Sequence, residues 1–365
     1  MRDQVRIDHC VVGGGIVGLF TAYFLRLRFP KDSICLLEKE IYFGDSSTGR
    51  NSGVLHSGIY YSTNSLKHLL CMEGAQLLSS LSFFSESLVK MTGKFIFAKD
   101  SRETAELEKL FQRGIENNID GLRFASEKEV KKLENFLKIE SAIYSPVTGI
   151  INVPAAIKNL VNYLGKSDVM LMKSHGEFTL ERMKSGFNFG FPDFDLLANK
   201  LYNCAGLSSI TLRKKLGLND LEDYYVKGSY LATSQKIDYP ALLYPMPLPN
   251  LKGLGIHSTL NWDGTVKFGP NAREVDSVSY SLEEENLEEM KDNVVDVFHG
   301  VIREKLHGDY SGMRAKIKMN GEVLSDFWIK NGADFDISNY YEACGIESPG
   351  LTASPAIGKM LANFS

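Results

Sequence analysis

The composition of the chain bounds its class. Its 365 residues are 44% hydrophobic and 24% charged, which is ordinary for a folded protein and excludes a disordered or low-complexity chain. The formal net charge of -4 shows no basic excess, so the composition supports neither a nucleic-acid partner nor a polybasic membrane surface. The length allows two domains or one large α/β unit.

The cysteines and the N-terminal apolar stretch bear on compartment and metal binding. The five cysteines are scattered without a C-x-x-C pair, which predicts reduced thiols in a cytoplasmic protein and no metal site. The stretch from His9 to Leu25 carries no charged residue, but it is short for a membrane span and follows Asp3 and Asp8. We therefore expect no targeting or integral membrane segment, and leave open peripheral contact with the inner membrane face.

The first predicted elements surround a glycine-rich turn. Ile7 to Val12 reads as a buried strand, and Leu19 to Arg28 reads as a helix. Between them, Gly13-Gly14-Gly15-Ile16-Val17-Gly18 fits the dinucleotide fingerprint G-x-G-x-x-G. A second strand, from Ser33 to Leu37, ends at the acidic residue Glu38, which is followed by Lys39.

Each part of this fingerprint has a physical role. Gly13 permits the tight turn, Gly15 lets the backbone approach a pyrophosphate, and Gly18 allows close packing of helix on strand. The helix N-terminus offers unpaired N–H groups and a partial positive charge to the phosphates. Glu38 can accept hydrogen bonds from a ribose and would repel a 2′-phosphate, which argues against NADP. The fingerprint alone leaves NAD and FAD as alternatives.

Later elements favour FAD. Leu201 to Gly206 reads as a strand that ends in a small-residue turn, as expected for the strand that closes a flavoprotein nucleotide domain. Val153-Pro154 opens a predicted helix that leads to a strand from Val169 to Met172. Tyr340 to Cys344 reads as a final strand before a loop and a helix. For that helix we expect Ser354 as the N-cap and Pro355 in the first turn.

Seven stretches in colinear order resemble one group of flavoproteins. They are "VVGGGIVGL", "LLEKE", "TGRNSGVLHSGIYYS", "LKHLLCMEGAQLL", "GPNA", "SGMRAKI" and "GIESPGLTASPAIGKML". The chain resembles the FAD-dependent L-2-hydroxyglutarate dehydrogenase/oxidase group, within the D-amino-acid oxidase and glycerol-3-phosphate dehydrogenase superfamily. The match is weaker between residues 90 and 145 and between 207 and 250.

The resemblance implies an α/β fold with two interleaved domains. A Rossmann-like FAD-binding domain is expected from residues 1–80, 146–210 and 330–365. An α+β substrate domain, built on an antiparallel sheet with helices on one side, is expected from residues 81–145 and 211–329. Local patterns agree with this division. Helical spacing is found from Leu66 through Phe84 to Leu88 and from Leu287 to Val301, and strands are predicted at 230–233 and 265–269.

The resemblance also implies a cofactor site made of several segments. Its expected FAD-binding residues beyond Gly13, Gly15, Gly18, Glu38 and Lys39 are Ile16, Val17, Thr48, Gly49, Arg50, Asn51, Ser52, Gly53, Ala205, Gly206, Gly345, Gly350, Leu351 and Thr352.

A histidine in the glycine-rich stretch is the first candidate for catalysis. The resemblance brings His56 toward the flavin, where an imidazole could accept the hydroxyl proton of a 2-hydroxy acid. The alternatives are that His56 only hydrogen-bonds the flavin, or that it links FAD covalently. His257 is a second candidate base or substrate ligand, with a histidine satisfied within a strand as its alternative.

Candidates for substrate binding follow from the charge of a carboxylate. Arg314 can grip a carboxylate with two parallel hydrogen bonds, the alternative being a surface arginine. Tyr60 and Tyr61 could donate hydroxyl groups or could simply pack. Lys227 and Tyr230 stand where the group commonly has Arg-Gly-x-Tyr. Lysine lacks the guanidinium fork, which leaves open a distal substrate end unlike that of 2-hydroxyglutarate.

The function expected from these residues is FAD-dependent oxidation of a small 2-hydroxy acid by hydride transfer to flavin N5. L-2-hydroxyglutarate, giving 2-oxoglutarate, is the first candidate substrate. The alternatives are an amino-acid or amine oxidase, a glycerol-3-phosphate dehydrogenase-like enzyme, for which we find no second arginine cluster, and a flavin-binding scaffold without turnover. The sequence leaves open whether the electron acceptor is oxygen, a quinone or a protein, and it leaves open the oligomeric state.

Overall fold

The computed structural model describes residues 2–81, 88–174, 176–247 and 255–365. The helices in these ranges are α1 (Ile16–Arg28), α2 (Leu66–Ser80), α3 (Ser101–Glu116), α4 (Glu127–Leu133), α5 (Val153–Lys166), α6 (Ser209–Lys215), α7 (Glu284–Val297) and α8 (Gly350–Asn363). The strands are β1 (Asp3–Val12), β2 (Ile34–Glu38), β3 (Val54–Leu55), β4 (Val89–Met91), β5 (Lys94–Ala98), β6 (Arg123–Phe124), β7 (Ser141–Ser145), β8 (Gly149–Ile151), β9 (Val169–Lys173), β10 (Thr179–Arg182), β11 (Phe187–Gly190), β12 (Phe194–Asn203), β13 (Leu221–Thr233), β14 (Leu242–Pro245), β15 (Ser258–Leu260), β16 (Val266–Phe268), β17 (Arg273–Val275), β18 (Leu306–Met319), β19 (Glu322–Val323), β20 (Trp328–Asn331) and β21 (Tyr340–Cys344).

The first sheet carries the fingerprint. Its order is β10-β11-β12-β1-β2-β9, and β21 pairs with β12 and β20. The strands β9, β2, β1, β12 and β21 are parallel, so they need crossover connections, and α1 and α5 supply two of them. The whole of β2 and the last four residues of β1, from His9 to Val12, are buried because helices or loops cover both faces of these central strands. This is the Rossmann-like arrangement that the fingerprint predicts.

The second sheet has the order β19-β18-β13-β16-β15-β14-β5-β7-β6, with β17 also paired to β13. Its pairs are antiparallel except for β14 with β5, which run parallel. The long strands β13 and β18 pair over most of their length, and α7 packs against both of them. A small sheet of β3, β8 and β4 includes Val54 and Leu55 of the glycine-rich stretch. The exact domain boundaries stay a prediction.

The C-terminal helix begins earlier than predicted. Helix α8 starts at Gly350 with Pro349 at the N-cap, so the expected N-cap Ser354 and first-turn residue Pro355 lie inside the helix. A proline at this position has no N–H for the carbonyl of Leu351, four residues back. The Ser354 hydroxyl donates to that carbonyl at 2.8 Å and so replaces the missing donor. Ser354 and Pro355 therefore lie inside the helix, where the serine hydroxyl compensates for the missing proline N–H, and they do not mark the helix start.

The helix that follows the glycine-rich stretch is shorter than its apolar spacing predicts. Helix α2 ends at Ser80, and Leu88 lies in a turn before β4. Phe84, which the apolar spacing includes, falls outside the described residues. Among the helices that the structure describes, none combines the length and the apolar character needed to cross a membrane.

Candidate active site

A cavity of about 520 Å³ joins the fingerprint to the second sheet. At one end its wall is the start of α1, with Gly15, Ile16 and Val17. At the other end the wall includes His257 and Arg314. The cavity therefore brings the predicted nucleotide end and the predicted chemistry together.

The turn before α1 is built from close backbone approaches. Gly13 has a φ of +108°, and a Cβ there would lie 2.3 Å from the carbonyl oxygen of Cys204. Helix α1 begins after Gly15, which provides no side-chain cap for the first N–H groups. The hydroxyl of Thr48 accepts from the N–H of Ile16 at 3.0 Å, and Gly15 faces the cavity beside it. The turn thus presents backbone and no bulky side chain to the cavity.

The acidic residue at the end of β2 bonds backbone in this structure. Glu38 is buried and accepts from the N–H of Gly14 at 2.7 Å and from that of Glu40 at 2.9 Å. Lys39 points elsewhere, with its Nζ 3.3 Å from the hydroxyl of Ser208. Neither Glu38 nor Lys39 lines the cavity.

The cofactor residues expected from the sequence divide into two sets. Those that line the cavity are Gly15, Ile16, Val17, Thr48, Arg50, Asn51, Ser52, Gly53, Gly206, Gly350 and Leu351. Those that do not are Gly13, Gly18, Glu38, Lys39, Gly49, Ala205, Gly345 and Thr352. Members of the second set shape the first, since a Cβ at Gly18 would lie 1.9 Å from the carbonyl oxygen of Gly13.

The loop at residues 47–53 is tied to the second sheet. The hydroxyl of Ser47 donates to the carbonyl of Met313 at 3.0 Å, and the hydroxyl of Tyr310 donates to that of Asn51 at 2.7 Å. The hydroxyls of Ser52 and Tyr230 lie 2.9 Å apart. These contacts fix the loop between the nucleotide end of the cavity and the far end.

The residues present fit a dinucleotide such as FAD. The start of α1 receives no cap from Gly15 and faces the cavity. Beyond the N–H of Ile16, which Thr48 accepts, its first turn offers N–H donors to phosphates. Gly206 adopts a φ of +53° and has no atom within 4 Å of where a Cβ would stand, so this backbone leaves room on the cavity side. At the other end, the Nδ1 atom of His56 is buried without a hydrogen-bond partner among the described residues. A cavity with backbone donors at one end and, among the described residues, an unpaired imidazole nitrogen at the other suits a bound cofactor and substrate.

His56 is held from its backbone. Its N–H donates to the hydroxyl of Thr352 at 3.0 Å, which connects it to the first turn of α8. Its Nε2 lies 3.3 Å from the hydroxyl of Ser348. Burial, followed by the positive charges of Lys94 and Arg314 and the neighbouring His257, lowers the pKa of His56 to about 3. The imidazole is therefore neutral at physiological pH and able to accept a proton.

His257 is a similar neutral imidazole across the same cavity. Its ring stacks on Tyr244 with centroids 3.8 Å apart. Its Nδ1 lies 3.0 Å from the carbonyl of Gly255, a contact that requires a proton on Nδ1 and leaves a lone pair on Nε2. Burial is the main cause that lowers the pKa of His257 to about 3. The geometry keeps both histidines as candidate bases.

Arg314 projects from β18 into the cavity. Its side chain is 25% exposed, and its Nη1 lies 3.6 Å from Oε2 of Glu347. Tyr60, Tyr61 and Tyr230 also line this end of the cavity. The hydroxyl of Tyr61 is 3.2 Å from that of Ser348, so it belongs to the same polar group as His56.

Lys227 does not reach the cavity. Its Nζ donates to Glu283 at 2.8 Å and lies 3.3 Å from the hydroxyl of Ser281. The register explains this, because Val226 pairs with Arg314 and successive side chains on a strand point to opposite faces. Lys227 therefore faces α7, on the side of the sheet away from Arg314.

Several cavity residues are absent from the sequence prediction. Glu347 is buried, and its Oε1 accepts from Lys67 at 2.9 Å and from Lys316 at 2.7 Å. Burial would raise the pKa of Glu347, but Lys67, Arg314 and Lys316 lower it to about 2. Lys67, Lys316 and Glu347 each lie inside one of the sequence stretches quoted for the family resemblance, and this was the one sign of their importance in the sequence. Their contact could not be predicted, because it joins α2, β18 and the loop before α8.

A buried lysine lies just behind the histidines. Lys94, at the start of β5, has no exposed surface, and its Nζ has no hydrogen-bond partner among the described residues. Its Nζ lies 4.6 Å from the ring centroid of Tyr60 and 4.9 Å from that of Tyr244. Burial lowers the pKa of Lys94 to about 7. Nothing in the sequence distinguishes it from a surface lysine.

Comparison with known proteins agrees with this geometry. The family model DAO, FAD dependent oxidoreductase, matches residues 8–364. The chain is 32% identical to the mitochondrial L-2-hydroxyglutarate dehydrogenase of Pongo abelii, over 98% of this chain and 86% of that protein. The mitochondrial L-2-hydroxyglutarate dehydrogenase of Arabidopsis thaliana is 29% identical, over 98% of this chain and 83% of that protein.

Solved structures share the fold. The FAD-bound, dithionite-reduced L-alpha-glycerophosphate oxidase of Mycoplasma pneumoniae superposes with a TM-score of 0.87 at 21% identity, covering 99% of this chain and 94% of that one. Glycine oxidase of Geobacillus kaustophilus gives a TM-score of 0.80 at 15% identity, covering 98% of this chain and 94% of that one. The chain belongs to the DAO family of FAD-dependent oxidoreductases, together with the L-2-hydroxyglutarate dehydrogenases that it matches along nearly its whole length.

Proposed function

We propose that the protein oxidises a small L-2-hydroxy acid, with L-2-hydroxyglutarate as the first candidate and 2-oxoglutarate as its product. The observation that carries the proposal is that His56, His257 and Arg314 line the same cavity as the glycine fingerprint. The names of the curated relatives support the same substrate. The cytoplasmic location stays a prediction, and oxygen, a quinone and a protein stay alternatives for the electron acceptor.

The proposed chemistry assigns one task to each group. The guanidinium of Arg314 binds the carboxylate next to the hydroxyl-bearing carbon through two N–H donors. Neutral His56 accepts the hydroxyl proton, and the charge of the bound substrate carboxylate stabilises the imidazolium that forms, which burial alone disfavours. When bound, FAD supplies the two-electron acceptor for the hydride. Thr352 and Ser348 hold His56 in position through its N–H and Nε2.

The charge of the cavity favours a hydroxy acid over an amine. Arg314, Lys67 and Lys316 outnumber the single carboxylate of Glu347 in this part of the wall. A protonated amine would enter a region with excess positive charge, whereas a dicarboxylate is attracted by it. The amino-acid oxidases among the structural neighbours share the fold, and their identity to this chain is too low to carry over a substrate.

The test is anaerobic reduction of the bound flavin by a substrate panel. The panel holds L- and D-2-hydroxyglutarate, L-lactate, L-malate, L-glutamate, glycine and sn-glycerol 3-phosphate. We expect L-2-hydroxyglutarate to bleach the visible flavin spectrum fastest, with its D enantiomer inactive. Bleaching by an amino acid and by no hydroxy acid would replace the proposal with the oxidase alternative. Protein that is colourless and refuses FAD on reconstitution would contradict the assignment of the cavity.

A further inference from the structure

Three cations surround one buried carboxylate in the cavity wall. Lys67 and Lys316 both donate to Oε1 of Glu347, at 2.9 and 2.7 Å, and Arg314 lies 3.6 Å from Oε2. The side chain of Glu347 is only 8% exposed, so solvent screens this group weakly. All four residues line the cavity. We call Lys67 and Lys316 the lysine pair.

The charges of this group do not balance. Three cations and one carboxylate leave a formal surplus of two positive charges, a number that a dicarboxylate or a phosphate monoester would neutralise. Each ammonium has three donors and uses one of them on Glu347, so both lysines keep donors for a ligand. Their pairing with Glu347 fixes them in place without consuming their binding capacity.

The spacing suits a substrate with two anionic ends. Arg314 and Lys316 are two residues apart on β18, on the same face, which separates their Cα atoms by about 6.6 Å. Their charged ends meet at the carboxylate of Glu347, Arg314 at Oε2 and Lys316 at Oε1, so the two ends of one five-carbon dicarboxylate can reach both side chains. Lys67 approaches from α2, where the carboxylate of Asp326 accepts the N–H groups of Leu66 and Lys67, both at 2.8 Å.

We propose that Lys67 and Lys316 form the subsite for the second anionic group of the substrate, while Arg314 binds the carboxylate beside the reacting carbon. Glu347 positions the two ammonium groups. This inference rests on the proposed function for the reaction itself and adds the residues that select a dianion. A distal carboxylate and a phosphate share this chemistry. The lysine pair thus takes the role that the sequence resemblance gave to Lys227, whose Nζ is paired with Glu283.

The test compares K316M with the matched control K318M in the FAD-loaded enzyme. Lys318 lies two residues further along β18, and its Nζ stacks over the ring of Tyr224, 4.4 Å from the centroid, outside the cavity lining. The substrates are L-2-hydroxyglutarate, its monocarboxylate analogue L-2-hydroxypentanoate, and sn-glycerol 3-phosphate. For K316M we expect KM for L-2-hydroxyglutarate to rise at least tenfold, about the loss of one hydrogen bond to a charged group. KM for L-2-hydroxypentanoate should change less than threefold, K318M should resemble the wild type, and K316R should restore binding.

A binding titration separates this inference from the proposed function. Glutarate and pentanoate, which cannot be oxidised at a hydroxyl, are titrated against the holoenzyme and followed by perturbation of the flavin spectrum. Wild-type protein should bind glutarate at least tenfold more tightly than pentanoate, and both K316M and K67M should remove that preference. If no 2-hydroxy acid is oxidised and this preference holds, the proposed function fails and the subsite stands. Loss of glycerol 3-phosphate turnover in K316M would identify the second group as a phosphate.

Two outcomes overturn the subsite. One is equal binding of glutarate and pentanoate by the wild-type protein. The other is an equal loss for the dicarboxylate and the monocarboxylate in K316M that retains its FAD and its circular dichroism spectrum.

Discussion

Replacing His56 by glutamine tests the proposed base directly. Glutamine keeps hydrogen-bonding groups but cannot take up the hydroxyl proton, and loss of a general base typically costs a factor of about 10²–10⁴ in rate. We therefore expect kcat of H56Q to fall by about that factor while flavin content is retained. H257Q, measured beside it, should fall less if His257 only contacts the substrate.

The pH dependence of kcat/KM gives a second, independent test of His56, through the fraction of the imidazole that is neutral. With the ordinary pKa of 6.5, only about 3% of a histidine is neutral at pH 5. With the pKa of His56 lowered to about 3, about 99% of it is neutral at the same pH. For the free enzyme, kcat/KM should therefore be level from pH 8 to pH 5. The acid limb of kcat should lie at higher pH than that of kcat/KM, because a bound carboxylate favours the imidazolium.

The assay is anaerobic flavin reduction with L-2-hydroxyglutarate at several pH values, with folding checked by circular dichroism at each one. This check is needed because the folded-state pKa of His56 lies below the unfolded value, so its contribution to stability is present above pH 6.5 and declines as the pH falls. H307Q, at an exposed histidine of β18, is the control and should behave as wild type. A tenfold drop in kcat/KM per pH unit below 6.5 would refute the argument from burial. Wild-type turnover in H56Q at every pH would remove the base assignment.

Three further changes test other parts of the structure. K94M removes a buried, unpaired cation, so the pKa of His56 should rise and the acid limb should move to higher pH. Burial lowers the pKa of Lys94 to about 7, so the charged form is disfavoured in the folded protein. The gain in free energy of unfolding in K94M, measured in urea, should therefore be larger at pH 7 than at pH 10. Equal gains at the two pH values would contradict this. G13V introduces a Cβ 2.3 Å from the carbonyl oxygen of Cys204, so the purified protein should lose most of its FAD absorbance. G217V is the control for backbone strain, because Gly217 also has a positive φ but has open space around its Cβ position. S354A should lower the free energy of unfolding by about 1 kcal/mol, because the carbonyl of Leu351 loses its donor. Adding P355A supplies a backbone N–H for that carbonyl and should recover part of the loss. No recovery would show that Ser354 does not stabilise the helix through this hydrogen bond.

The nucleotide half of the fold was predictable because its signals are local. The turn before α1 depends on glycines that are adjacent in the sequence. The end of β1 and the whole of β2, on either side of α1, are buried and mostly apolar. The start of α8 was not predictable by the same route. Ser354 and Pro355 are residue types typical of a helix start. The helix nevertheless begins at Gly350, with Pro349 as its N-cap residue.

The substrate half depends on contacts between distant segments. Lys227 matches a family position by sequence, yet its partner is Glu283, the N-cap residue of α7, more than fifty residues away. Glu347 meets Lys67 across 280 positions, and no spacing rule connects them. Arg314 and His56 were found because the motifs around them are specific, whereas Lys94 has no motif and became visible only through its burial.

The loop between β21 and α8 constrains how this enzyme can be redesigned. Two neighbouring residues on it serve different purposes, since Ser348 contacts His56 and Glu347 holds the lysine pair. Mutations in this loop would therefore alter proton handling and ligand choice at once. Engineering a new substrate range is better begun at the side chains of Lys316 and Lys67, whose hydrogen bonds go to Glu347 and not to His56.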